Sequence, residues 1–298
     1  MSGSMVAEVD NSQEKIRHCC GHRQPASNGA FFKKLLVLLL CLCSTSPAFA
    51  SERILALAPH ICEILYAIGA GKDVVGAVSY CDYPEEAKSL PRVGSYNRIN
   101  VEAALALAPT MAIVSDEKMI GVQKLRSLGV KIVQSHPEQV DDVLLDIRHI
   151  GSAVGQRKRA NQLADSLQKR LDKLDASMEN LKTAVFYEIW PTPLLTAGKH
   201  TFINNVLQRI GLRNVFGDVE LEAPRVNVEA VIAAKPKIII IPSEKRDVAK
   251  RIRFWKKWLG EDIRVISVNP DLVHRPGPRL LDGMEYLAGQ LEGLQIEH

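Results

Sequence analysis

Any chemistry in this chain has to come from a small set of side chains. Histidine is considered first, because neutral imidazole binds metals and carries protons near neutral pH. Past residue 50 the histidines are His60, His136, His149, His200, His274 and His298. No two stand four apart on one helix, as an HExxH metal motif requires. His60, His136 and His274 fall at the ends of predicted strands and are the set that could converge on an ion. A singly placed, hydrogen-bonded histidine explains each of them more simply, so no metal site is expected. There is no GxSxG elbow, and GAGKD (69–73) lacks the glycine spacing of a phosphate loop. No catalytic residue is assigned and the chain is not read as an enzyme.

What remains is recognition. Aromatic residues make up 5% of the chain, yet Tyr80, Tyr83, Tyr96 and Trp190 all fall at predicted strand ends. A ring with a polar edge supplies apolar area and one hydrogen bond, which suits a large planar ligand. Packing inside the fold is the competing role, above all for Tyr83 and Trp190. The stretch NPDLVHRPGPR (269–279) is rich in proline, so its shape is largely set before it meets a ligand. Within it Asp271, His274 and Arg275 could hydrogen-bond ligand amides or charges, with Leu272 and Val273 between them. Arg279 reads as a local cap.

These loops need elements to hold them. RILALAPH (53–60), DVVGAVSY (73–80), TMAIVS and VKIVQS read as strands, separated by helical stretches that begin at Ile61, Asn100 and Gly121. Strands alternating with helices predict an α/β lobe with a largely parallel sheet over residues 51–138. From 139 to 182 there is no proline, and Val143, Leu144, Ile147, Ile150, Val154, Leu163, Leu167, Leu171 and Leu174 recur at helical spacing. One helix of that length would run about 60 Å, a rigid spine; a pair of helices broken near Gly155 is the alternative. A second α/β lobe is expected over 183–298. The halves repeat one another: INVEAALALAPTMAIV (99–114) returns as VNVEAVIAAKPKIIII (226–241), an offset of 127 residues. The fold class is therefore α/β, two similar Rossmann-like lobes joined by one long rigid helix, with the ligand cleft between lobes, where strand ends meet. Glu102 and Glu229 hold the same place in both repeats. They either favour a helix N-terminus or present one carboxylate per lobe to a twofold partner.

The first 50 residues stand apart. Lys33 and Lys34, the apolar run Leu35 to Cys43 and the Ala48-Phe49-Ala50 ending form an export signal, so 1–50 is read as leader and signal peptide. The role of 1–30 stays open. Of six cysteines, only Cys62 and Cys81 lie beyond it. In an oxidising compartment they could pair, and two buried thiols fit the spacing as well. The net charge of +4, with no basic run past the leader, excludes a nucleic-acid partner.

Together APHICEILYAIGAG, VVGAVSYCDYP, the two VEA blocks, the TAGK segment (196–199) and the spine resemble the periplasmic substrate-binding proteins with a helical backbone, over residues 53–292. That family serves ABC importers of cobalamin, ferric siderophores and heme. The resemblance implies a monomeric, periplasmic carrier of cobalamin or a related corrinoid, with a ferric siderophore or heme on the same fold as the alternative, and no cofactor of its own. It implies that Tyr80 touches the corrin, that Tyr96 stands at a stacking tryptophan's place, and that Asp271 to Arg275 form a second contact segment. It implies that Glu102 and Glu229 dock on the importer's membrane subunits. The chain departs from the pattern in having Leu272 and Val273 for an aromatic pair and Ser115 for a third ring.

Overall fold

The computed structural model describes residues 52–95, 97–177, 182–243 and 248–291. Four strands make the first sheet. They are β1 (Ile54–Ala56), β2 (Val74–Ala77), β3 (Met111–Val114) and β4 (Lys131–Gln134), all parallel, in the order β2-β1-β3-β4. Every residue of β1 and β3 is buried, which is why both read as unbroken apolar runs rather than alternating ones. The connecting helices are α1 (Pro59–Ala67), α2 (Val101–Ala106) and α3 (Val122–Ser127). Proline opens α1 at a position that needs no backbone N–H. Gly69, at φ +79, turns the chain out after its end.

The spine is helical, as the periodicity predicts, but it is not continuous. It consists of α4 (Val140–Ala153) and α5 (Arg157–Ser177). Gly155 adopts φ +73 between them, a conformation that ends a helix. The two helices then fold back on each other. Arg148 reaches Asn161 at 3.2 Å and Asp165 at 2.8 Å. A Cβ on Gly151 would lie 2.1 Å from that of Ala160, so only glycine permits this approach. This is the alternative the sequence offered, a pair of helices broken near Gly155; the period could not choose it because both halves are amphipathic and the period runs through the break. Folding back buries Ile147 and Ile150 against Ala160 and Ala164, whereas a lone rod would leave that face in water. The continuous 21-residue piece, α5, runs about 30 Å. It is tied to the second half by Arg170, 2.7 Å from Asp282 and 2.6 Å from Glu285.

The second sheet contains β5 (Thr183–Pro191), β6 (Leu194–Thr196), β7 (Leu212–Asn214), β8 (Ile238–Pro242) and β9 (Arg264–Val268). β5 lies between β7 and β8, and β8 pairs with β9, all in parallel. The order β7-β5-β8-β9 reproduces β2-β1-β3-β4. Only β6 departs, pairing antiparallel with the outer part of β5. The helices here are α6 (Phe202–Arg209), α7 (Val228–Ala234), α8 (Val248–Leu259), the single turn α9 (Pro270–Val273) and α10 (Leu280–Gly289).

The sequence repeat is a structural repeat. Asn100 caps α2 by accepting the Ala103 N–H at 3.0 Å, and Asn227 caps α7 by accepting the Ala230 N–H at 2.8 Å. Each helix leaves through a left-handed, non-glycine residue before a proline: Ala108 at φ 45 and Lys235 at φ 48. Glu102 and Glu229 both sit in the first turn, exposed.

Candidate ligand cleft

In each sheet the chain order reverses beside the first strand, so β1/β3 and β5/β8 are the switch points where loops part to leave a crevice. The two crevices face each other. The segment after β9 crosses to the segments after β1 and β2. Arg275 Nη1 lies 3.1 Å from Glu63 Oε1 and 2.8 Å from Asp82 Oδ1. Arg279 reaches Glu63 through Nη2 at 2.6 Å and Nε at 3.0 Å. Between the two arginines, a Cβ on Gly277 would lie 3.4 Å from His60 Cβ and from Glu63 Oε2. The carboxyl ends of both sheets therefore bound one cleft.

Among the described residues Tyr80 is the most exposed predicted contact, with 71% of its surface open. Its backbone is left-handed at φ 66, a strained choice for a bulky side chain. The surrounding loop is fixed by Cys62 and Cys81, whose sulfurs are bonded, which resolves the alternative left open by their spacing. Tyr96 lies outside the described residues. Trp190 is half-buried, its Nε1 donating to the Thr192 carbonyl at 2.9 Å. Asp271 keeps an open edge while one oxygen pairs with Arg275 Nη2 at 2.7 Å. Leu272 is partly exposed, its carbonyl against Gly283.

Three members of the contact segment have partners within the fold. Val273 is a core residue, closed off against Gly283 of α10; the turn α9 rotates it away from the cleft. His274 Nε2 is held 2.8 Å from the buried Tyr187 hydroxyl. Burial pushes the His274 pKa down to about 4, so the ring is neutral, and burial raises that of Tyr187. Arg275 is buried, at 8% exposure, and its guanidinium pairs with Glu63, Asp82 and Asp271. Burial works against its charge, but the hydrogen bond and charge of Asp82, with Asp271 and Glu63, outweigh it and raise its pKa. Burial likewise pushes Asp82 up, but Arg275 overrides it and leaves that carboxyl below its ordinary value.

Glu63, Asp82 and Tyr187 escaped the sequence reading, and Arg279 was taken for a cap. One signal was available: Glu63 stands between Ile61, Cys62, Ile64 and Leu65, a carboxylate on an apolar face that must find a cation. Two arginines four apart, Arg275 and Arg279, were the complement. A second buried chain runs along the first lobe's strand ends. His60 Nε2 lies 2.9 Å from Ser135 Oγ, which donates to Asp146 Oδ2 at 2.6 Å. With the hydroxyl proton committed to Asp146, His60 must be the donor through Nε2. Burial first, then the charges of Arg275 and His136, push its pKa to about 4. Burial raises that of Asp146. Nothing here activates the serine, since its proton points to the carboxylate and not to the imidazole. Among the described residues no cluster of His, Cys, Asp or Glu is arranged to hold a metal.

Two like α/β sheets facing across a cleft, with a helical backbone, define a two-lobed solute-binding protein. The periplasmic binding protein family matches residues 54–253, and the chain belongs to that family, whose members bind and hand over solutes without catalysing a reaction. A vitamin B12-binding protein of Yersinia pseudotuberculosis is 31% identical over 261 residues, covering 87% of this chain and 92% of its own. Among solved structures, the periplasmic vitamin B12-binding protein of Vibrio cholerae is 30% identical. It superposes with a TM-score of 0.76 over 83% of this chain and 98% of that one. A periplasmic heme-binding protein from Roseiflexus sp. RS-1 is 25% identical with a TM-score of 0.72, covering 80% of this chain and 97% of that one.

Proposed function

We propose that this chain is an exported carrier that captures cobalamin or a related corrinoid in the cleft and delivers it to an ABC importer. The observation that carries the reading is Tyr80: an open ring on a strained backbone, clamped by the Cys62–Cys81 bond beside facing switch points. Strain is retained where a side chain has work to do, and an open ring suits a planar face. The similarity to vitamin B12-binding proteins supports the same reading. Tyr96, Trp190, Asp271 and Leu272 complete the contact set.

Heme and the catecholate or carboxylate ferric siderophores are anionic, and an anionic ligand needs a free cation. Arg275 and Arg279 are matched by Glu63, Asp82 and Asp271: two positive groups against three negative. His274 is tied by its Nε2 to Tyr187. This balance favours an uncharged, amide-rich ligand edge.

Export rests on the leader at Lys33 to Ala50, outside the described residues, and the periplasm is the compartment this reading requires. Glu102 and Glu229 are exposed, and neither has a side-chain ion pair among the described residues. One carboxylate per lobe in equivalent positions fits two equivalent basic pockets on the importer's membrane subunits. The carrier works as a monomer, with no cofactor beyond its cargo.

The test is calorimetric titration of cyanocobalamin into residues 51–298, which form one compact unit. One-to-one, submicromolar binding that weakens at least tenfold in Tyr80→Ala supports the reading. Absence of heat, with a Soret band appearing on heme addition, would replace it.

A further inference from the structure

We infer that Glu63 is the positioning residue of the cleft: it joins the lobes and holds in place the loop that carries Asp271. Three observations support this. Glu63 is 3% exposed, and both of its oxygens are taken by guanidiniums from the opposite lobe. Asp82 adds a second link from the same lobe to Arg275 at 2.8 Å. The Tyr83 ring receives Arg279 at 3.8 Å from its centroid.

Packing of Val273 holds the loop to its own lobe; its link to the first lobe is chiefly ionic. An open pocket of about 600 Å³ adjoins the clamp, lined by Glu63 and Arg279 together with Tyr66, Leu163 and Leu167. With an open pocket on one side and the cleft on the other, these ionic contacts fix how the loop sits against the first lobe. A carboxylate buried against two guanidiniums must keep its partners, because an unmatched charge in such a place is costly. The loop is thereby tied to α1 rather than to its own lobe alone. A ligand seated on Asp271 and Tyr80 would span two lobes already held at one spacing, so little ordering remains when it binds.

The geometry of the clamp does not depend on the ligand's identity; only the affinity arm below rests on the cobalamin reading. Spin labels are placed at the exposed positions Leu128 and Leu221, one per lobe, each exchanged for cysteine with the native disulfide left intact, and the interlobe distance distribution is measured. Glu63→Gln should widen that distribution at least twofold and quicken cyanocobalamin dissociation tenfold or more. Asp82→Asn should move both readouts the same way but less, and Arg279→Lys, which keeps charge but loses the two-pronged contact, should do likewise. Glu86→Gln, an exposed carboxylate on the same cavity, should leave both unchanged. If Glu63→Gln fails to fold, Asp82→Asn and Arg279→Lys decide. Unchanged distributions in the folded variants overturn the proposal. A widened distribution in a protein whose wild type does not bind cyanocobalamin upholds the clamp and removes the cobalamin reading instead.

Discussion

Acidification from pH 7 to pH 5 should destabilise this protein through His60. Its folded pKa is about 4 against an ordinary 6.5, so across this window the unfolded chain takes up a proton that the folded chain refuses. The contribution of a depressed group is complete above 6.5 and is lost as the pH falls toward 4. Linkage puts the loss at about 2 kcal/mol between pH 7 and pH 5, and about 3 kcal/mol by pH 4. His274, held down by burial, adds a loss of the same sign. Asp146, raised by burial, works in the opposite direction, so the wild-type slope alone does not isolate His60. A variant does. His60→Gln keeps an N–H donor toward Ser135 but cannot titrate. Urea unfolding at pH 7, 6 and 5 should show the variant losing about 2 kcal/mol less than wild type over that range. Parallel slopes in the two proteins would refute the assignment of a buried, neutral, donating His60.

Three further outcomes follow from the structure. Reduction of Cys62–Cys81, which closes 19 residues of chain, should lower unfolding free energy by about 3 kcal/mol in the chain-entropy view, read as a drop in urea midpoint with dithiothreitol. Glu102→Ala with Glu229→Ala should leave ligand affinity within twofold of wild type while abolishing stimulation of the importer's ATPase; loss of ligand binding in that double variant would remove the docking role. Asn227→Ala should cost about 1 kcal/mol by stripping the α7 cap, and Asn100→Ala a similar amount, since both make the same bond; a large difference between them would contradict the equivalence of the two lobes.

Much of the architecture was legible because short-range rules govern it. Ile238 to Ile241 could only be a strand buried on both faces, and Asn100 and Asn227 announced two helix starts with the same spacing to a proline. The repeat at 127 residues carried this further, since two equal supersecondary units imply equal sheets. The spine was half legible. Its 3.6-residue period gave helix, but a period cannot say whether two amphipathic helices run on or fold back; Gly151 and Gly155 decided it, through a close approach and a left-handed turn.

The charge pairing around the cleft was not legible in the sequence. At the strand-end loops Tyr80 and Asp271 keep open surface. A sequence, however, lists charges without their partners. Arg275 looked like a hand held out to a ligand because Glu63, 212 residues away, is not its neighbour in the chain. A four-residue turn was not visible in NPDLV, and that turn aims Val273 at Gly283. Composition, periodicity and capping determined the elements, the two-lobed plan and the absence of catalytic motifs, since these depend on residues a few positions apart. Which side chains stay free for a ligand was decided by the tertiary structure alone, because burial and charge pairing join residues from opposite lobes, and only folding brings them within reach.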